Sequence, residues 1–181
     1  MASVFYLTPW KEGDIGGGIN ESIALLPADA WICLRDADTL FLTPDVQKQI
    51  AELAAANPEF DLIGCRTNRL RSDYQVLERE RLFDCDSITT HVETAKYMAA
   101  NNWGVLTPLP APEVVAGMFM LFRKSLWEKI KFPRHSIYFD SEFTKAVRII
   151  GGKVALAQGI YLFHLYRWGQ DNPYAYTNHL I

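Results

Sequence analysis

No stretch of this sequence reaches the ~18 consecutive apolar residues that a membrane-spanning helix requires. The longest apolar run, residues 114–122, is interrupted by Gly117. Residues 1–9 lack the basic start and the long apolar core of a signal peptide. No membrane span is therefore expected, and the chain reads as cytoplasmic. Cysteine is scarce as well. Cys33, Cys65 and Cys85 are odd in number and form no CxxC pair, which argues against both a disulfide framework and a zinc knuckle. Cys33 and Cys65 lie in apolar, strand-like runs, where a thiol serves as a small hydrophobe in a reducing compartment. An excess of one charge is also missing. With 18 Lys and Arg against 21 Asp and Glu the net charge is −3, so the basic footprint of a nucleic-acid binder is absent. The densest charge run, Glu-Arg-Glu-Arg at 78–81, alternates in sign and reads as a solvated surface. There is no internal repeat, no low-complexity tract, no GxGxxG and no Walker loop.

What is present is a 181-residue chain, 49% hydrophobic, enough for one domain with a genuine core. Strand-like and helix-like segments alternate, which predicts an α/β domain with a mostly parallel central sheet flanked by helices. Residues 4–8, VFYLT, are β-branched and aromatic and read as the first strand, stopped by Pro9. Gly16-Gly17-Gly18 reads as a flexible turn before a short helix over 19–26. Residues 31–35, WICLR, form a buried strand that runs into Asp36-Ala37-Asp38. Thr43 and Pro44 suit the N-cap and first position of a helix whose buried face is Val46, Ile50, Leu53 and Ala54. A strand follows over 61–67, then a polar, irregular stretch over 68–86, and a helix over 87–100. Residues 106–112 read as a proline-punctuated loop and 113–123 as an apolar strand containing Gly117. Ser125 is placed to cap a short helix over 126–130. Asp140 or Ser141 is placed to cap a helix through Ile150, with Phe143, Ala146, Val147 and Ile150 inward and Gly151-Gly152 as its C-cap. Residues 154–165 make a final strand or pair of strands with His164 near its end. Trp31 and Trp127 are expected in the core. Trp103, Trp168, Tyr174 and Tyr176, in loops or the tail, are candidates for stacking on a ligand.

The feature most suggestive of chemistry is Asp36-Ala37-Asp38. In an extended segment the two carboxylates point the same way, and together they offer hard oxygen ligands for Mg²⁺ or Mn²⁺. The alternative is a plain turn, where Asp side chains bond to nearby backbone. An EF-hand is excluded because its fifth and sixth positions would be Leu40 and Phe41. A haloacid-dehalogenase-like phosphatase is excluded because residue 40 is neither Thr nor Val. His164, alone in an apolar strand, fits either a hydrogen-bonded core histidine or a ligand. Asp140 and Glu142 fit either a helix start, where acids suit the dipole, or catalysis.

Taken together, three blocks resemble the family-two-like glycosyltransferases of the GT-A fold, over about residues 15–168. The first is IGGGINESIALLPADAWICLRDADTLF at 15–41, similar to that family's glycine turn, Asn-bearing helix, apolar strand and DxD. The second is VAGMFM at 115–120, followed by Arg123. The third runs from Tyr138 to His164 and includes Asp140, Glu142, Phe143, Arg148 and Gly151-Gly152.

The resemblance implies one GT-A-like, hexosyltransferase-like domain over 1–181 that transfers a sugar from a nucleotide-sugar donor to a hydroxyl on a glycan, lipid-linked or protein acceptor, with inversion. Asp36, Asp38 and His164 would hold Mn²⁺ or Mg²⁺. Asp140 would be the base, with Glu142 as a substitute. Asp36, Asn20 and Gly117 would face the donor, and Tyr6, Thr8, Trp10 and Asp14 are donor-binding candidates, for the base, by position only. Residues 167–181, with Arg167 and Trp168, would form a tail that closes over the site. The chain departs from the family in two respects: between the first strand and the glycine turn a strand–helix–strand piece for reading the nucleobase is missing, and so is a basic residue near the Asn-bearing helix. The nucleotide-binding half is therefore shortened. A non-catalytic or partner-dependent nucleotide- or glycan-binding module, working with a partner subunit or a second copy, is the alternative reading, and a nucleotidyltransferase is a further one. A metal site demands that a carboxyl oxygen of Asp38 and the ring of His164 approach within about 5 Å, a gap one ion can span.

Overall fold

The computed structural model describes residues 3–71 and 73–165. Seven strands form one open sheet: β1 (Val4–Leu7), β2 (Trp31–Arg35), β3 (Thr39–Phe41), β4 (Leu62–Thr67), β5 (Leu106–Pro108), β6 (Phe119–Arg123) and β7 (Val154–His164). Their order is β1-β2-β6-β4-β7-β3, with β5 beside β7. Among the described residues six helices flank the sheet: α1 (Ile15–Ala24), α2 (Val46–Ala56), α3 (Arg79–Leu82), α4 (Ile88–Asn102), α5 (Lys124–Lys129) and α6 (Phe139–Ile149). None of them is long and apolar enough to cross a membrane. The α/β class with a helix-flanked sheet is as expected, and the architecture is compatible with a Rossmann-like arrangement. The sheet itself is mixed rather than mostly parallel. β1–β2 and β4–β7 pair in parallel, whereas β2–β6, β6–β4, β3–β7 and β5–β7 pair antiparallel. The Met118 carbonyl accepts a bond from Asp36 N, so β6 starts at the end where β2 stops.

Period-two alternation sends side chains to the two faces of the sheet. Ile32 and Leu34 of β2 join Met120 and Phe122 of β6 against Ile19 and Ile23 of α1, Trp127 of α5, and Phe143 and Val147 of α6. Trp31 and Cys33 face the other way, with Phe119 and Leu121, against Val46, Ile50 and Leu53 of α2. Both tryptophans expected in the core are buried there. A smaller cluster joins Leu82, Ala95 and Met98 to Tyr161.

Several boundaries differ from expectation, each for a local reason. Gly16, Gly17 and Gly18 are not a turn but the buried first turn of α1, capped by Asp14, whose side chain accepts from Gly17 N. A Cβ on Gly16 would land on the carbonyl of Pro133, so glycine is required by close backbone packing rather than by flexibility. The cap of α2 is Asp45, not Thr43. Residues 106–108 pair with β7 instead of looping. β6 begins only at Phe119, so Gly117 lies before it, and α5 begins at Lys124 without a Ser125 cap. α6 is capped at Tyr138, and Ile150 is half exposed outside it. Gly151, at φ +82°, does take the left-handed position that ends α6. β7 is one strand with an irregularity. Its register against β4 shifts between Cys65 and Arg66, so that Cys65 faces Ala157 but Arg66 faces Tyr161. Its first part pairs with β5 and its last part with β3. A bulge of this kind re-aims the strand, here carrying His164 to the edge beside β3.

Candidate metal centre and active site

Asp36 and Asp38 flank a turn that joins two strands lying far apart in the sheet. The Thr39 hydroxyl, fully buried, donates to the Asp36 carbonyl at 2.6 Å and closes that turn. β3 then runs antiparallel to β7, which sets Thr39 opposite His164. Leu165 N donates to the Asp38 carbonyl at 2.9 Å, one step beyond the ladder. Strand pairing thus places His164 beside Asp38, with Nε2 and Oδ1 3.4 Å apart. One ligand atom from each of Asp36, Asp38 and His164 lies within 4.8 Å of the other two. His164 is buried, Asp36 half-buried, and the Asp38 side chain 48% exposed. The distance demanded of a metal site is met.

The ring orientation of His164 is set from behind. Its Nδ1 lies 2.9 Å from the Arg69 carbonyl. A carbonyl only accepts, so the network assigns the proton to Nδ1 and turns Nε2 toward Asp38. That is how metal-ligating histidines are commonly held. Two carboxylates and an imidazole nitrogen are a donor set for a divalent cation such as Mn²⁺ or Mg²⁺, and these residues fit one by spacing and by chemistry.

The electrostatics point the same way. Burial pushes the Asp36 carboxyl up to about 6, with the charges of Asp38 and Asp140 adding to the rise and His164 opposing it. When protonated on both nitrogens, His164 donates from Nε2 to Asp38 and holds its carboxyl below the usual carboxylate range. Asp140, in the first turn of α6, accepts from Gly117 N at 2.8 Å and from Ser141 N at 2.6 Å. Burial nevertheless lifts its carboxyl above the ordinary value. Gly117 adjoins Met118, whose carbonyl accepts from Asp36 N, so Asp36 and Asp140 are tied to adjacent residues of one loop. That loop is well held. Val115 N donates to the Thr144 hydroxyl at 3.2 Å and Ala116 N to Gln75 Oε1 at 2.8 Å. Glu142 is exposed and accepts from the Ser136 hydroxyl.

The remaining predicted residues divide into two groups. Tyr6 and Thr8 stay exposed. β1 and β2 are parallel, so Thr8 just past β1 and Asp36 just past β2 share the C-terminal end of the pair, where open α/β sheets bind ligands. The Tyr6 ring meets Phe41 edge-on at 6.3 Å, and Arg35 lies 5.0 Å from the same Phe41 ring. Though Tyr6 is exposed overall, partial burial of its hydroxyl lifts that group to about 12. The other group is engaged by the protein itself. Besides capping α1, Asp14 is buried, pairs with Arg134 and accepts from His135 N. Arg134 above all holds its carboxyl below the usual range. Asn20 bonds both the amide and the carbonyl of Phe132 and accepts from the Trp127 indole. A Cβ on Gly117 would lie 2.6 Å from Phe139 Cζ, so packing against α6 is enough to require glycine there. Trp103 donates to Glu52 at 2.7 Å, on α2. Arg167, Trp168, Tyr174, Tyr176 and the expected closing tail lie outside the described residues. A surface hollow of about 190 Å³, lined by Leu77, Arg81, Thr94 and Tyr97 among others, includes none of the predicted site residues.

Sequence reasoning did not single out Thr39, Asn68 or the Arg69 carbonyl, since each acts through a fold contact that no short motif encodes. No protein-family model matches this chain, and no curated protein matches it in sequence.

Proposed function

We propose that this chain is a metal-dependent glycosyltransferase of the family-two-like GT-A kind, acting on a nucleotide-sugar donor and a hydroxyl acceptor. The observation that carries the reading is the convergence of Asp36, Asp38 and His164 on one point, with Asp140 anchored to the same loop as Asp36. A divalent cation bound there, Mn²⁺ or Mg²⁺, would neutralise charge gathering on the departing diphosphate. The imidazole in the donor set inclines the choice toward Mn²⁺. The donor diphosphate lies against Asp38, with the nucleoside toward Tyr6 and Thr8. Asp140 takes the proton as the acceptor oxygen bonds to the anomeric carbon. The bond from that carbon to the diphosphate breaks in line, the diphosphate leaves with the electron pair, and the configuration inverts. A carboxyl whose affinity for protons burial has raised suits that work better than an ordinary solvated one.

Calorimetric titration with UDP and with GDP, with and without Mn²⁺, tests this. The expected result is binding that needs Mn²⁺ and weakens at least ~100-fold in Asp38→Ala, about the loss that follows when a charged ligand group is removed. Failure of the folded wild type to bind either nucleotide would sink the reading.

One observation favours the alternative of a partner-dependent or purely binding module. β1 is the terminal strand of the sheet order, and among the described residues no strand lies beyond it to read a base. Nucleotide binding without donor hydrolysis or transfer, by the isolated chain, is the outcome that selects this reading.

A further inference from the structure

We infer that Asn68 is a positioning residue for the metal centre, holding His164 in place through a side chain that imitates a strand. The inference rests on the reading of Asp36, Asp38 and His164 as a cation site. The parallel ladder between β4 and β7 ends at the pair Thr67–Leu162. Beyond it the backbone of residue 68 turns away, and the Asn68 carboxamide takes over. Its Oδ1 accepts from His164 N at 2.8 Å, and its Nδ2 donates to the His164 carbonyl at 3.3 Å. A carboxamide has the same donor and acceptor as a peptide group, so one side chain supplies what a further strand residue would have supplied. Asn68 is fully buried. The His164 N–H can only donate and so fixes which end of the amide is oxygen; the Thr67 hydroxyl donates to the same Oδ1 at 3.3 Å.

The next residue completes the bracket. The Arg69 carbonyl receives His164 Nδ1 at 2.9 Å. The Arg69 side chain is itself buried, donating through Nε to the Phe83 carbonyl at 2.7 Å with the guanidinium 5.2 Å from the Phe83 ring. Asn68 thus fixes the backbone of His164 and Arg69 fixes its ring, while Nε2 is left to face Asp38. Groups of this kind behind a metal ligand set its orientation, and losing one commonly weakens metal affinity by about 10- to 100-fold.

The test is the affinity for Mn²⁺ alone, read by the electron paramagnetic resonance of the free ion, for wild type, Asp38→Ala and Asn68→Ala. Folding is checked by circular dichroism, and ¹⁵N spectra of the imidazoles report the His164 tautomer. The expected result is wild-type binding, loss in Asp38→Ala, and binding about 10- to 100-fold weaker in folded Asn68→Ala, with His164 no longer held in the Nδ1–H form. Should Asn68→Ala fail to fold, the milder Asn68→Ser carries the test, with a weakening between wild type and the alanine figure. A merely structural role would lower the melting temperature and leave both Mn²⁺ affinity and tautomer as in wild type; that result overturns the inference while the cation site stands. Wild-type protein that binds no Mn²⁺ overturns the cation site, and this inference with it.

Discussion

At the scale of single residues, the centre pairs two aspartates with opposite tendencies. Asp38 is exposed and held ionised by His164, whereas burial lifts Asp36 to about 6. A carboxyl raised above its unfolded value of 3.8 binds more protons in the native state between those two values. Stability drawn from it is therefore present in acid and lost as pH rises from about 4 to about 6. At pH 7 the charged Asp36 opposes folding of the cation-free protein. Asp36→Asn should raise the melting temperature at pH 7 by about 2–4 °C, the size of a ~1 kcal/mol gain in a chain of this length. That gain should shrink toward pH 4.5. A gain equal at both pH values, measured by calorimetry without metal, would show that Asp36 carries no such burden. The two aspartates were legible in the sequence because DxD sits at the end of an apolar strand. Their unequal environments were not, since these depend on the loop ending in Met118 and on β7.

At the scale of elements, α1 shows how a helix rule can reverse its sign. Replacing a glycine inside a helix by alanine ordinarily gains up to about 1 kcal/mol. At Gly16 the added methyl meets the Pro133 carbonyl, which is backbone and cannot swing aside. Gly16→Ala should cost ~2 kcal/mol or more, a fall in melting temperature of about 4–8 °C. Thermal denaturation decides it, and a rise would mean the helix and the 132–134 segment are further apart than the structure has them. The same contact explains why the sequence misled here. Three consecutive glycines signal a turn by propensity, and only the approach of residues 132–134, far along the chain, makes them a packing surface. Strands β2 and β4 were readable because both faces are buried and the apolar run is continuous. β3 and β5 were not, being three residues each and paired, among the described residues, only with β7.

At the scale of the whole molecule, the helix-flanked sheet follows from alternating periodicities, but the strand order does not. β6 inserts between β2 and β4, and β3 departs to the far side of β7; neither move has a local signature. The His164–Asp38 meeting was expected from the order of the family-like landmarks, and the β3–β7 pairing is what brings it about.

That pairing also has a consequence in time. Asp36 and Asp38 leave the ribosome before His164, and the three do not come together until the chain has been made as far as His164 and β7 has closed on β3. Such long-range pairing is slow to form and tends to come late in folding. A ligand of the finished site then has nothing to hold in the transition state. Mn²⁺ should accordingly slow unfolding several-fold while leaving the refolding rate unchanged. Stopped-flow unfolding and refolding in denaturant, with and without the ion, would show it. A cation that speeds refolding would mean that β3 and β7 meet early.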